Sequence, residues 1–156
     1  MAFRELDELD RRILYMLQGE ARHTSSSDIA ATLDVSASTV RNRIQRLETD
    51  GVIRGYHADV DYEAAGHQLI TLIVCTAPIP DREDLAKAAA DVPGVVGVQE
   101  VMKGEENVLV QAIGADGDDL TRIGEELDEL GLRVSDEDLI RNTHQSPYAR
   151  FDGSGE

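Results

Sequence analysis

The chain has 156 residues and a formal net charge of −16, a length that suits one ordinary domain or two small ones. Apolar residues make up 41% of it, too many for a disordered chain, and no apolar run approaches the roughly 18 residues of a membrane span, so neither a disordered nor an integral membrane protein is expected. The single cysteine, Cys75, excludes an internal disulfide and a cysteine-cluster metal site, and Met1–Glu5 lacks an apolar signal core, so a cytoplasmic protein is expected.

Three helices are predicted in the first 50 residues. Apolar side chains recur at three- and four-residue spacing after a cap at Asp7, and Gly19 ends that helix. The serine run 25–27 supplies a loop and the cap of a short second helix. Ser36 caps a third helix, which runs to about Asp50 and stops before a glycine.

The third helix separates an apolar side from a polar side that is nearly free of carboxylates. Val40, Ile44 and Leu47 face one way, and the first acid on the opposite side is Glu48. That opposite side presents hydroxyls and amides flanked by two guanidiniums: Ser38, Asn42, Gln45, Thr49, Arg41 and Arg46. Such side chains suit the major groove, and the order of the three helices is typical of a helix-turn-helix. The alternative is a solvated amphipathic helix with ordinary surface arginines.

The segment after the third helix is rich in β-prone residues. Val52–Val60 contains a glycine at its bend, which predicts either the wing of a winged helix-turn-helix or a strand that leads out of it.

The second half alternates strand and helix signals. The strands are predicted at Leu69–Cys75, Val95–Met102, Val108–Ile113 and, more weakly, Leu132–Arg141. One helix follows a cap at Asp81, and another carries Leu120, Ile123, Leu127 and Leu130 before Gly131. The order β-α-β-β-α-β predicts a ferredoxin-like domain, so the fold class is α+β.

The first of these strands is apolar on both faces, although a sheet with both helices on one side should show a polar second face. Something must therefore cover either the set 69, 71, 73, 75 or the set 70, 72, 74. The same sheet of a second copy is the simplest cover and predicts a twofold dimer. The alternative is that the first module or the C-terminal tail covers it.

The sequence of the first module resembles the leucine-responsive regulatory protein/AsnC (Lrp/AsnC) family of prokaryotic transcription regulators over roughly residues 6–62. The resemblance is carried by Leu9–Leu14, Asp28–Ala30, Val35–Val40, Arg43–Glu48 and Gly51–Tyr56, which follow one another in family order. It implies residues 1–56 as a winged helix-turn-helix, 57–67 as a linker strand, 68–142 as a ferredoxin-like sensing and dimerisation domain, and 143–156 as a C-terminal tail.

A sequence-specific regulator of transcription is therefore predicted, without enzymatic activity, cofactor or metal. Its partners are a pseudo-palindromic double-stranded operator and a second copy of the chain, with assembly to a tetramer or octamer left open. The residues expected to contact DNA are Ser36, Ser38, Thr39, Arg41, Asn42, Gln45, Arg46 and Arg54.

The resemblance also implies an amino-acid effector near the hairpin between the second and third strands. The corresponding residues are Gly104, Glu105, Glu106 and Asn107. Glu106 stands where the family usually has an aromatic residue, and Asn107 replaces an aspartate, so a carboxylate of Glu105 or Glu106 would have to pair with the effector's ammonium group. A plain solvated turn is the alternative for this hairpin.

Two other functions compete with the regulator. The sirohaem decarboxylases share the two-part architecture but carry an Asn-Tyr-x-Arg segment on the second strand and a tryptophan on the third, whereas here the second strand reads Gly97–Met102 and the chain has no tryptophan. A metabolite-binding module that no longer recognises DNA is the second competitor, and the polar side of the third helix argues against it.

Charge is unevenly divided between the two halves. Residues 1–56 hold eight arginines, no lysine and nine acids, and the rest of the chain carries most of the negative charge, which indicates two modules with different partners. The many acids, and arginine in preference to lysine, are typical of proteins from salt-accumulating halophiles, which predicts a halophilic archaeon as the source; an ordinary acidic protein is the alternative. The segment from Phe151 onward is expected to be frayed.

Overall fold

The computed structural model describes residues 5–153 and divides the chain into two compact units. The first unit combines the segment up to Ala58 with the segment from His144 onward, and the second spans Asp59–Thr143. The residues before position 5, where a signal core is not expected, and residues 154–156 of the tail lie outside the described part. Within the described part, no helix is both long enough and apolar enough to cross a membrane.

The first unit contains three helices, α1 (Glu8–Gly19), α2 (Ser26–Leu33) and α3 (Ala37–Thr49). Each begins with a side-chain cap. The oxygens of Asp7, Ser25 and Ser36 accept the backbone N–H three residues further on, at 2.8, 3.1 and 3.1 Å. Because such caps are local in sequence, all three helix starts were predictable and are confirmed.

The three helices enclose a small apolar core, to which each contributes two fully or nearly buried side chains: Ile13, Leu14, Ile29, Ala30, Val40 and Leu47. Asp34 adopts the left-handed conformation (φ 54°) in the turn between α2 and α3. That turn directs α3 across the other two helices, with its apolar side facing the core.

The segment after α3 is irregular, and the strand predicted within Val52–Val60 is absent. Gly51 reverses the chain with a φ of +73°, and the N–H groups of Val52 and Ile53 donate to the carbonyl of Leu47 at 2.9 and 3.1 Å. The linker strand predicted over residues 57–67 is also wrong, because residues 62–66 form turns instead. A β-prone sequence gains no ladder hydrogen bonds without a neighbouring strand, and none pairs with it among the described residues.

The second unit is a four-stranded antiparallel sheet with two helices. Its elements are β1 (Leu69–Thr76), α4 (Arg82–Ala90), β2 (Val95–Glu100), β3 (Val108–Gly114), α5 (Gly117–Glu129) and β4 (Arg133–Leu139), and the strand order is β2-β3-β1-β4. The ferredoxin-like prediction is confirmed.

The two faces of the sheet differ in how they are covered. Thr71, Ile73 and Cys75 are buried on the inner face, in a core that also holds Ile123 and Leu127 of α5. This burial, together with the nearby carboxylate of Glu137, raises the pKa of the Cys75 thiol to about 11. On the outer face, Ile70, Leu72 and Val74 are only half-buried.

Thr71 is the one buried side chain of the described residues whose polar atom has no hydrogen-bond partner. Its residue is 3% exposed, so the hydroxyl loses its contacts with water and gains none in return. We expect Thr71→Val to raise the free energy of unfolding of the second unit by about 1 kcal/mol. Urea unfolding measures the change, and Thr121→Val, at an exposed position, is the control. A lower free energy of unfolding in Thr71→Val would show that the hydroxyl of Thr71 stabilises the fold.

The described end of the chain packs on the first unit, so the prediction of a frayed end from Phe151 is wrong for residues 151–153. Ala149–Phe151 form a short 3₁₀ turn, and Phe151 packs against the core of the first unit. The reason is a tertiary contact, because the ring of Phe151 packs in a groove formed by residues about 100 or more positions earlier in the chain.

Candidate nucleic-acid interface

Helix α3 is held by its apolar side and presents its polar side to solvent. Val40 and Leu47 are fully buried, and Ile44 packs against the same core. On the opposite side, five of the side chains predicted to contact DNA are exposed: Ser38, Arg41, Asn42, Gln45 and Arg46. Several of them line a shallow depression along the helix, formed by Asn42, Gln45, Arg46, Thr49 and Asp50.

The N-terminus of α3 is organised around the hydroxyl of Ser36. This hydroxyl accepts the N–H of Thr39 and lies 2.7 Å from Thr39 Oγ1 and 3.1 Å from Ser38 Oγ. Thr39 is half-buried, whereas Ser36 and Ser38 are exposed. The first turn holds no acidic residue, so the partial positive charge of the helix N-terminus is left for an anion such as phosphate.

Arg43 lies on α3 but points away from the exposed polar side. Its Nη1 contacts Asp7 at 2.5 Å and Asp10 at 3.1 Å, and Asp10 is 2% exposed. The hydrogen bonds to Asp7 and then to Asp10 raise the pKa of Arg43. The helical spacing of α3 does not predict this ion pair, because its partners lie more than 30 positions away in the sequence.

The segment that follows α3 is fixed to the end of that helix. The hydroxyl of Tyr56 donates to Glu48 Oε1 at 3.1 Å, and burial and this carboxylate raise the pKa of Tyr56. The first acid on the polar side of α3, Glu48, therefore accepts a hydrogen bond from a phenol. Arg54, which precedes Tyr56, is exposed.

The predicted effector residues fall into two groups. Gly104, Glu105 and Glu106 are exposed in the connection between β2 and β3. Glu106 has a φ of 49°, and its N–H donates to Thr76 Oγ1 at 2.8 Å. The two carboxylates already face cations, Glu105 at 3.8 Å from Arg133 and Glu106 at 3.5 Å from Lys103.

Asn107, by contrast, is a structural residue. Its side chain is completely buried, its Oδ1 accepts the N–H of Ala77 at 2.8 Å, and its Nδ2 donates to the carbonyl of Ala77 at 2.9 Å. The amide thus joins the start of β3 to the residue that follows β1. An effector would have to break this pair of bonds in order to reach it.

Other polar residues of the described chain do not assemble into a metal site. No three side chains of the types His, Cys, Asp and Glu come together as ligands within residues 5–153. The four histidines, His23, His57, His67 and His144, are all exposed.

Comparison with known proteins gives a consistent result. Residues 6–54 match a family model described as winged helix-turn-helix DNA-binding. An HTH-type transcriptional regulator of Pyrococcus horikoshii is 31% identical over 148 residues, which cover 94% of this chain and 92% of that protein.

Solved structures agree over both units. The crystal structure of the leucine response regulatory protein LrpA of Mycobacterium tuberculosis has a TM-score of 0.75 and 28% identity, over 90% of this chain and 96% of that one. A feast or famine regulatory protein of the same organism, in complex with L-methionine, has a TM-score of 0.76 and 28% identity, over 91% and 96%. The similarity therefore extends beyond the three helices to the sheet domain.

Proposed function

The chain belongs to the Lrp/AsnC family of DNA-binding helix-turn-helix transcription regulators, and from that premise we propose which of its residues read the operator. Ser38, Thr39, Asn42 and Gln45 contact base edges. Arg41, Arg46 and Arg54 hold phosphates or guanine, and Ser36 contacts the DNA at the start of α3. The observation that carries this proposal is the exposed polar side of α3, on which hydroxyls, amides and guanidiniums stand without a carboxylate before Glu48.

These side chains match the chemistry of the major groove. An asparagine or glutamine amide both donates to and accepts from adenine, and an arginine guanidinium donates to guanine or to phosphate. Two copies of α3, related by the twofold axis of a dimer, would meet half-sites about 10 bp apart or a multiple of that distance. The operator is therefore pseudo-palindromic.

Selection of binding sites from random DNA by the purified protein tests the proposal, first at high KCl. We expect an enriched motif, and we expect Asn42→Ala to weaken binding by about 1–3 kcal/mol and to relax the preference at one base position. Arg41→Ala should weaken binding more evenly across sequences. Arg141→Ala, an exposed arginine of the sheet unit, is the matched control. If selection recovers no motif, the regulator proposal fails, and the result favours a metabolite-binding module that does not recognise DNA.

The outer face of the sheet supports a dimer. Ile70, Leu72 and Val74 of β1 stand beside Ile113 and Leu109 of β3 in the strand register, and all five are only half-buried in the single chain. Covering an apolar strip of this kind contributes roughly 25 cal/mol for each Å² removed from water. A second copy of the sheet is the cover that we propose, and further assembly to a tetramer or octamer is left open.

We place the effector at the β2–β3 connection and take it to be a free amino acid, as in the relative that holds L-methionine. Glu105 and Glu106 supply carboxylates for the ammonium group, and Asn107 is left out because it is buried and occupied. Calorimetric titration with L-methionine should give heat that is lost in Glu105→Gln/Glu106→Gln and kept in the control Glu125→Gln. Equal binding by both variants would place the effector elsewhere.

A regulator of transcription acts where the chromosome is, so we propose a cytoplasmic location. We also propose adaptation to high salt, which rests on the acidic composition. A protein that works in molar salt cannot depend on many phosphate contacts, since each one weakens as salt rises. Base contacts from α3 would then carry a large share of the affinity.

A further inference from the structure

The DNA-binding unit is made of two separate pieces of the chain. Residues 147–153, called the strap here, lie against helix α1 and belong to the same compact unit as α1–α3. The sheet unit is thus inserted into the DNA-binding unit and is connected to it twice, through the segment after Ala58 and through residues 140–146 that follow β4.

The strap contacts α1 along much of its length. Pro147 lies at van der Waals distance from the position that a Cβ would take at Gly19, 3.8 Å away. The N–H of Tyr148 donates to Gln18 Oε1 at 3.3 Å. At the other end, a Cβ at Gly153 would lie 3.3 Å from Cδ of Arg12. These contacts run from the last turn of α1 back toward its first half.

Phe151 anchors the strap. Its ring packs against the core of the three helices and meets the ring of Tyr148 edge-to-face, with centroids 4.9 Å apart. Tyr148 is itself 52% exposed, so Phe151 provides the apolar burial. It lines the same groove as Val52 and Ile53, which follow α3 within the DNA-binding unit.

We propose that the strap is a second tether that limits the positions of the DNA-binding unit and thereby sets the half-site spacing that the dimer accepts. The inference rests on the proposed function. A module held by one flexible connection samples a wide range of separations from its twin, and a second connection narrows that range. None of the residues assigned to base reading lies in the strap, so its effect on DNA binding is one of positioning.

Two full-length variants distinguish the proposed effect of the strap on position from its contribution to the packing of α1. Phe151→Ala removes the anchor. A six-residue glycine-serine insertion between Thr143 and His144 lengthens the second connection but leaves Phe151 in place. Controls are Ser146→Ala, at an exposed position of the same segment, and Phe151→Leu, which keeps an apolar anchor.

The measurements are hydrogen exchange of the α1 amides and the preference for the selected operator over one lengthened by about half a helical turn. We expect Phe151→Ala to speed α1 exchange and both Phe151→Ala and the insertion to reduce the spacing preference about tenfold. The insertion should leave α1 exchange unchanged, and both controls should resemble the wild type.

An insertion variant with an undiminished spacing preference would overturn the tether, as would Phe151→Ala with wild-type exchange in α1. If Phe151→Ala unfolds the helical unit, the insertion variant still decides. A wild-type protein that selects no operator would refute the proposed function instead, and the exchange of the α1 amides would still show whether Phe151 holds the strap in place.

Discussion

Replacing Arg43 with methionine is expected to lower the free energy of unfolding of the DNA-binding unit by about 3 kcal/mol. The guanidinium joins α3 to Asp7, the cap of α1, and to the buried Asp10. Methionine keeps an apolar stem of similar length, but it leaves the carboxylate of Asp10 inside the unit without this cation. Removing one partner of a buried ion pair lowers the stability by more than the intact pair contributes to it.

Arg41→Met is the matched control, because it makes the same change two residues earlier on an exposed part of α3. It should alter stability by less than about 0.5 kcal/mol while weakening DNA binding. Urea unfolding followed by tyrosine fluorescence suits the test, since Tyr15, Tyr56 and Tyr148 lie in the DNA-binding unit and only Tyr62 lies in the other. Equal midpoints for Arg43→Met and the wild type would show that the ion pair is unimportant.

Acid should weaken the stabilising contacts of Arg43 with Asp7 and Asp10. The N–H of Asp10 and the guanidinium of Arg43 hold the pKa of Asp7 below its ordinary value of 3.8. A carboxyl with a lowered pKa stabilises the fold above its unfolded-state pKa, and this stability is lost as the pH falls through the lower folded-state pKa. The difference in free energy of unfolding between the wild type and Arg43→Met should therefore become smaller below about pH 4.

Features that depend on near neighbours in the chain were predictable. Asp7, Ser25 and Ser36 cap helices whose first turns follow at once, and the sequence of each cap identified its helix. The apolar spacing of α3 likewise indicated which side is buried, and the strands of the sheet unit were located to within a few residues.

Features that depend on distant partners were not predictable. Arg43 finds its carboxylates on another helix, and Asn107 finds the backbone of Ala77 across 30 positions. Phe151 lies in the segment predicted to be frayed, because nothing near it in the sequence indicates the groove in which it packs. Over Val52–Val60 the local sequence favours a strand, but no strand of the described residues pairs with it, so the predicted strand does not form.

The second large effect is expected at the centre of the outer sheet face. Leu72→Glu should raise the dissociation constant of the proposed dimer by about 1,000-fold or more, because each copy would bring a carboxylate into an apolar contact. Operator affinity should fall with it, since a monomer presents only one α3. Sedimentation velocity across a range of protein concentrations measures the change.

Leu139→Glu is the matched control, with the same chemistry on the other face. Leu139 is paired with the inward-facing Thr71 and is 67% exposed, whereas Leu72 is paired with Gln111 and Asp138. The control should remain dimeric. If both variants stay dimeric, the outer face is not the interface.

Salt gives this interface a further signature. In the register of β4 with β1, Asp136 stands beside Val74 and Asp138 beside Leu72, so carboxylates flank the apolar strip that the second copy would cover. Face-to-face packing brings four such charges together, and at molar salt the screening length falls to about 3 Å. The dissociation constant of the proposed wild-type dimer should therefore fall as KCl rises, and Asp136→Asn/Asp138→Asn should weaken that dependence. A dimer that loosens with salt would mean that attraction between charges, and not the apolar strip of β1 and β3, holds the two copies together.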